Sequence, residues 1–139
     1  MNFNEFKIKH SELIAFFQMI EHDLKLIYAY MHNGDPKKNF MELERTNLGS
    51  IIIELETLDN SDGHPYFKRD EYLYLKQIKN IRNYWCHEAY LDFIYERDAF
   101  NSTKYKDICL RLVKDHQELN EVHKNINKDL NTIINKFKR

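Results

Sequence analysis

The amino-acid sequence predicts an all-α fold, a bundle of four to five helices with a long C-terminal helix. Two observations predict it. The 139 residues include only three glycines and two prolines, too few for the many turns of an all-β protein. Apolar residues also recur every three or four positions through most of the chain, which is the spacing of one helix face. The length is that of one ordinary domain, so residues 1–139 are expected to form a single helical domain.

The first helix is predicted by apolar residues at alternating spacings of four and three. They are Leu13, Phe17, Ile20, Leu24, Ile27 and Met31. Such residues form one continuous apolar stripe along a helix. We expect Asn4 or Ser11 to cap its start. We expect it to stop at the sequence HNGDP, where Gly34 suits a left-handed backbone and Pro36 prevents the helix from resuming.

The next segment, residues 37–47, is polar and predicts a connection with room for one helical turn. Thr46 or Asn47 is then expected to cap a second helix. Its apolar face is Leu48, Ile51, Ile52, Leu55 and Leu58. The isoleucines at 51–53 also favour a strand. Because the rest of the chain contains no partner strand, the helix is the better interpretation.

Two further helices follow the loop DNSDGHPYF at residues 59–67. Residues 69–96 contain neither glycine nor proline, and their apolar face is Leu75, Ile78, Ile81 and Trp85. We expect this helix to bend or restart near residues 80–83, where poor helix formers cluster. The stretch from about Thr103 to Phe137 predicts one long helix, with a near-heptad apolar repeat that Asp115 interrupts.

Composition narrows the class of protein. The formal net charge is −1, so charge alone does not point to a nucleic acid or a membrane. No apolar run approaches the ~18 residues of a membrane-spanning helix, and the first ten residues lack the apolar core of a signal peptide. We therefore expect a soluble, cytoplasmic protein. Cys86 and Cys109 show neither a disulfide framework nor a zinc-ribbon pattern.

The segment KNIRNYWCHEAYLDF, residues 79–93, contains the candidate functional residues. Asn83 and His87 are four apart and share a helix face, and Asn80 lies on the same stripe. Arg82 lies roughly 140° from His87 around an ideal helix. Its long side chain can still reach the same cleft, especially if the helix is kinked or begins there. The spacing thus gathers a cation, an amide and an imidazole around one small space.

This combination suits phosphodiester chemistry. A histidine with a pKa near ~6.5 gives or takes a proton at neutral pH. An arginine stays charged and donates a fork of hydrogen bonds to phosphate oxygens. In RNA the 2′-hydroxyl is an internal nucleophile, so neither a metal ion nor an enzyme nucleophile is required. For an RNA substrate we therefore predict no cofactor and no metal.

Structural explanations of the same residues stay open. Arg82 can instead pair with Glu88 or Asp70, and His87 can be an ordinary helix residue. Tyr84 and Trp85 have rings that stack on bases, although the better interpretation of Trp85 is a core residue. We list Asn80, Tyr84 and Tyr90 as candidate substrate-binding residues.

Other candidate sites are weaker. Cys86 is expected to be a small buried hydrophobic residue. A second Arg-x4-His spacing, Arg111 to His116, lacks the asparagine and predicts a solvated helix face. His116 and His123 are about 10 Å apart along a helix, too far to share a metal ion.

The motif Arg82-Asn83-x3-His87 resembles the signature of the HEPN superfamily of helical domains, which is an arginine, four to six residues and a histidine, often with asparagine after the arginine. NLGSIIIELE is similar to the Leu-Gly-x-x-Ile helix of many members, and FFQMIEHDLKLIYAYM to their first long helix. In the toxin branch a tyrosine stands two residues after the histidine. Here that position is Ala89, and Tyr90 follows it.

The resemblance implies a homodimeric helical bundle in which two motifs face each other in a cleft. It implies a metal-independent endoribonuclease that leaves a 2′,3′-cyclic phosphate, in a toxin–antitoxin or antiphage setting with an antitoxin or regulatory partner. Arg82 would bind the scissile phosphate, His87 would be the general acid and base, and Asn83 would orient either of them. The alternative is a non-catalytic domain of the same fold that binds a protein or a nucleotide.

Overall fold

The computed structural model describes residues 1–137, which form five α-helices and two short 3₁₀ turns. The helices are α1 (Phe3–Met31), α2 (Pro36–Glu42), α3 (Leu48–Asp59), α4 (Arg69–His87) and α5 (Thr103–Lys136). The 3₁₀ turns, Ala89–Asp92 and Ala99–Asn101, lie between α4 and α5. The predicted all-α fold with a long C-terminal helix is confirmed. Within residues 1–137, no helix combines the length and the apolar character that a bilayer span requires.

Helix α1 begins earlier than the sequence predicts, because Asn2 caps it. The Asn2 side chain accepts a 2.8 Å hydrogen bond from the Glu5 amide, and the Glu5 carboxylate accepts one from the Asn2 amide at 3.4 Å. This reciprocal pair is a capping box. The early start brings Phe6 into the core, where it is fully buried.

Helix α2 is a second difference from the prediction, which had a connection there. Asp35 caps its first turn by accepting a hydrogen bond from the Lys37 amide, and Pro36 takes the first helical position. Proline suits that position because its missing amide hydrogen has no partner there anyway. The Asn39 amide group then donates to the Ala29 carbonyl at 3.0 Å, which ties α2 to the end of α1.

Helix α3 confirms the predicted Asn47 cap, whose side chain accepts a 2.8 Å hydrogen bond from the Ser50 amide. Its last residue, Asp59, is a buried carboxylate. Asp59 accepts hydrogen bonds from the backbone amides of Tyr66 and Phe67 and from the Tyr72 hydroxyl. These bonds order the loop between α3 and α4, since each compensates part of the cost of burying the charge.

Helices α1 and α5 run parallel. Three contacts join residues that are 104 positions apart: Tyr105 with Met1, His116 with Glu12, and Asn127 with Asp23. A constant separation of this kind requires two helices that point the same way and stay in register. Helix α4 runs antiparallel to α5, since Tyr74 near the start of α4 contacts Glu118, whereas Tyr84 near its end contacts Arg111.

One end of the bundle is filled with aromatic rings. Ring contacts link the start of α1, the 3₁₀ turns and the start of α5 to the last turns of α4. The participants are Phe3, Phe6, His10, Trp85, Tyr90, Phe93, Phe100 and Tyr105. Packed aromatic pairs of this kind each add about 0.5–1.5 kcal/mol beyond the area that they bury. This aromatic end of the bundle holds the part of α4 that contains the candidate site.

Candidate functional site

The last two turns of α4 carry Asn80, Asn83 and His87 on one outward stripe. Ile78 and Trp85 are buried on the opposite side of the same turns. Asn80 and His87 are exposed and Asn83 is half-buried. Helix α4 continues without a break through residues 80–83, so the predicted restart is wrong, whereas the predicted bend stays a prediction.

Arg82 lies at the edge of the core rather than on the outward stripe. It is four residues after Ile78 and three before Trp85, so it adjoins both on the helix surface. Its Nε atom is buried and has no hydrogen-bond partner within the described chain. It also forms no ion pair with any residue between 1 and 137, so neither Glu88 nor Asp70 neutralises it. A guanidinium held without a counter-ion remains available to an external anion.

Tyr84 is engaged on two sides. Its hydroxyl donates a 2.7 Å hydrogen bond to Asp92, and the guanidinium carbon of Arg111 lies 3.7 Å from the centre of its ring. Burial, followed by the hydrogen bond to Asp92, raises the pKa of Tyr84 to about 12, although Arg111 opposes the shift. The predicted substrate-binding ring therefore has one face covered by a cation.

Tyr90, another predicted substrate-binding residue, belongs to the aromatic end of the bundle. Its ring stands perpendicular to that of His10 at 5.2 Å and edge-on to Phe6 at 5.7 Å. Burial raises the pKa of its hydroxyl. Its ring contacts are with residues of α1 and with Phe93 in the segment between α4 and α5.

His10 is a residue of this region that the sequence did not reveal. Its Nε2 atom lies 2.9 Å from the backbone oxygen of Trp85, in the last turn of α4. A carbonyl only accepts, so Nε2 carries the hydrogen and donates. Nδ1 then faces the Tyr90 hydroxyl at 3.5 Å. The one available signal was position, because His10 lies between Phe6 and Leu13 on the apolar stripe of α1.

The predictions for Trp85 and for its neighbour Cys86 have opposite outcomes. Trp85 is buried, as predicted, and its indole donates to the buried carboxylate of Asp115 at 2.8 Å. Asp115, the polar residue that interrupts the apolar repeat of α5, is thus the hydrogen-bond partner of Trp85. Cys86 is exposed, so its prediction as a buried residue is wrong. One position after an inward-facing side chain, the helix has turned by about 100°, which points the thiol outward.

An exposed apolar stretch follows the site directly. Leu91, Ile94 and Tyr95 are 60%, 39% and 86% exposed, and they begin only four residues after His87. Single exposed apolar residues are ordinary on protein surfaces. Three in five residues beside a candidate site indicate a surface suited to a partner.

A separate groove lies away from these residues. It has a volume of about 620 Å³ and runs between α1 and α5. Its polar lining includes Gln18, His22, Asp23, His123, Lys124 and Lys128. On α5 these positions lie on the opposite side from Glu118, which contacts α4. The groove is therefore separate from Arg82, Asn83 and His87. Within residues 1–137, no three His, Cys, Asp or Glu side chains are grouped to hold a metal ion.

Comparison of the chain with protein-family models, with curated proteins and with solved structures gave no match in any of the three. The HEPN resemblance of Arg82, Asn83 and His87 therefore stays a prediction from the motif.

Proposed function

We propose that this protein is a metal-independent endoribonuclease of the HEPN type. The observation that supports the proposal best is the state of Arg82. Its guanidinium has a buried Nε atom without a hydrogen-bond partner and no ion pair within residues 1–137, and it lies five residues before the exposed His87. Native proteins leave few buried donors unsatisfied, and a catalytic role is one of the explanations for such a donor.

In the proposed reaction the 2′-oxygen of a ribose forms a bond to the adjacent phosphorus. The bond from phosphorus to the 5′-oxygen breaks, and its electron pair stays on that oxygen. A neutral His87 removes the proton of the 2′-hydroxyl, and a protonated imidazole supplies one to the departing 5′-oxygen. Arg82 donates to the phosphate oxygens, whose negative charge grows in the transition state. Asn83, on the same stripe as His87, orients the imidazole or the phosphate.

The two proton transfers favour a homodimer. One imidazole cannot be base and acid in the same step, whereas two copies of His87 across a two-fold axis supply both. The exposed Leu91, Ile94 and Tyr95 give each copy an apolar surface next to its motif. This arrangement also places one Arg82 on either side of the RNA strand.

The direct test is digestion of a fluorescent single-stranded RNA in the presence of EDTA. We expect the unmodified protein to cleave it and to leave a 2′,3′-cyclic phosphate. His87→Ala and Arg82→Ala should each lose at least about 100-fold in rate, the usual range for an acid–base or charge-stabilising group. His64→Ala and Arg69→Ala are matched controls, because both residues are exposed. Arg69 begins α4, at the end away from His87, and His64 lies in the loop before it. Cleavage that survives in both motif variants, or that EDTA abolishes, contradicts the proposal.

The cellular version tests the proposed toxin or defence setting. Expression of the protein should slow growth of the host, and His87→Ala should remove that effect. The antitoxin or regulatory partner is then sought as a protein that restores growth.

A non-catalytic interaction domain is the second candidate, and the exposed apolar stretch favours it. It predicts a stable complex through Leu91, Ile94 and Tyr95 but no RNA cleavage. Substituting Tyr95→Ser, the most exposed of the three, would then abolish association in analytical ultracentrifugation, whereas His87→Ala would leave every measured property unchanged.

A further inference from the structure

We infer that Arg111 of α5 is a second phosphate-binding residue of the same site, and that its guanidinium, rather than the Tyr84 ring, faces the RNA strand. This inference rests on the proposed ribonuclease function. It assigns a role to a residue that the sequence placed on a solvated helix face.

The first reason is the stacking of Arg111 on Tyr84. The guanidinium carbon is 3.7 Å from the ring centre, close enough for direct contact of the two planes. A base cannot occupy the same ring face. The surface offered to the strand at this point is therefore a guanidinium, whose outer face can stack on a base and whose in-plane N–H groups can donate to a phosphate oxygen.

The second reason is that the guanidinium is held in place from the inner side. Arg111 Nε lies 3.6 Å from Oδ2 of Asp115, the carboxylate that also accepts the Trp85 indole. Asp115 is buried, whereas the Arg111 side chain is 46% exposed. The counter-charge thus lies inside the protein and the cation faces solvent. A pre-oriented arginine loses little side-chain entropy when it binds an anion.

The third reason is position. Tyr84 and His87 are three residues apart on α4 and adjoin each other on its surface, with Cβ atoms about 5–6 Å apart. Arg111 covers Tyr84, so it flanks His87 on one side. Arg82 flanks it on the other side, roughly 140° around the helix. Around the axis of α4, His87 therefore lies between the position of Tyr84, which Arg111 covers, and the position of Arg82.

One negative group opposes this assignment. Asp92 lies at the edge of the Tyr84 ring, where its carboxylate accepts a 2.7 Å hydrogen bond from the Tyr84 hydroxyl. That hydrogen bond fixes the carboxylate at the ring edge, whereas Arg111 lies over the ring face. The Tyr84 ring consequently has a cation over its face and a carboxylate at its edge. This arrangement would orient an RNA strand as well as bind it.

His116 does not join Arg111 in a second motif. Its ring contacts Phe16 of α1 at 5.1 Å, and its Nε2 atom lies 3.6 Å from Glu12. The two residues of that Arg-x4-His spacing therefore serve different sides of α5. Arg111 belongs with α4, and His116 belongs with α1.

The test measures RNA binding in the His87→Ala background, so that cleavage does not interfere. The probe is a 12-nucleotide fluorescent single-stranded RNA, and the readout is its dissociation constant as a function of NaCl concentration. We expect Arg111→Gln to weaken binding and to lower the slope of log K against log salt by about 0.7, the value for one phosphate contact to a single strand. Arg111→Lys should keep the slope and lose affinity, because it retains the charge and loses the planar stack. A structural role alone would not separate these two variants.

Lys128→Gln is the matched control. It removes one exposed cation from the same helix roughly 25 Å along its axis, and should leave the slope unchanged. Folding of each variant is checked by the fluorescence of Trp85, the only tryptophan. If Arg82→Gln lowers the slope and Arg111→Gln does not, Arg111 is no phosphate ligand and the ribonuclease proposal stands. If the His87→Ala protein binds no RNA at any salt concentration, the ribonuclease proposal fails and this inference falls with it.

Discussion

The indole Nε1 of Trp85 donates a 2.8 Å hydrogen bond to Oδ2 of Asp115, and both side chains are buried. The bond joins α4 to α5 directly beneath the turn that carries His87. Arg111 adds a longer contact to the same oxygen at 3.6 Å. The carboxylate is thus shared by a structural donor and by a cation of the candidate site.

Replacing Asp115 by alanine should cost about 2–3 kcal/mol of unfolding free energy, because the buried Trp85 donor loses a charged acceptor. Asp115→Asn keeps an acceptor oxygen and should cost about 1 kcal/mol. Urea unfolding followed by tryptophan fluorescence measures both. Asp107→Ala, an exposed position on the same helix, is the control and should change stability by less than about 0.5 kcal/mol. Equal losses for Asp115→Ala and Asp107→Ala would show that the hydrogen bond contributes nothing.

Arg82 should be dispensable for stability. Its Nε atom is buried without a hydrogen-bond partner, and no ion pair within the described chain depends on it. Arg82→Leu should therefore change the unfolding free energy by no more than about 0.5 kcal/mol, or raise it, while it abolishes RNA cleavage. Chemical denaturation and the EDTA cleavage assay on one preparation give both values. A loss of stability above about 2 kcal/mol would assign Arg82 to the core instead.

His10 should hold the last turn of α4 in place. His10→Phe keeps an aromatic ring beside Phe6 and Trp85 but leaves the Trp85 carbonyl without its donor, at a cost of about 1–3 kcal/mol. Hydrogen exchange at the amides of residues 88–91 should become faster. His10→Gln supplies a new amide donor and should recover part of the protection. Unchanged exchange in His10→Phe would exclude this role.

His116 should make the stability of the protein depend on pH. Burial, and next the charge of Lys9, lower the pKa of its imidazole in the folded state, although Glu12 partly opposes them. The unfolded chain therefore binds the proton more tightly, so unfolding becomes easier as the pH falls through about 6.5. Urea unfolding at pH 7.5 and pH 5.5 should show this loss, and His116→Gln should reduce it. The exposed His64→Gln is the control; an equal pH response in both variants would contradict the assignment.

Apolar periodicity was sufficient to predict the helices that form the bundle. Six spaced apolar residues define α1, and the near-heptad repeat defines α5 almost to its ends. Helix starts were less predictable: the start lies at Asn2, whose capping box with Glu5 has a recognisable spacing, whereas the expected caps were Asn4 and Ser11. The polar composition of residues 37–47 predicts a connection, although Asp35 and Pro36 together favour a helix start.

The candidate site was predictable only within one helix. Spacing alone aligns Asn80, Asn83 and His87 on a stripe of α4. Contacts between helices leave no pattern in the local sequence. His10 is 75 residues from Trp85, whose carbonyl it contacts, and Arg111 is 27 residues from Tyr84, whose ring it covers. The sequence does mark Asp115 as an irregularity, but its partner is known only once α4 packs on α5.

The parallel pairing of α1 with α5 constrains how the chain folds during synthesis. Its contacts join residues 104 positions apart, so the largest helix pair cannot form until α5 has left the ribosome. Until then the part of the α1 surface that packs on α5 stays open to chaperones and to other chains, and closing such a long loop adds to the folding barrier. A nascent protein of this design therefore acquires the complete environment of His87 only after α5 has been synthesised.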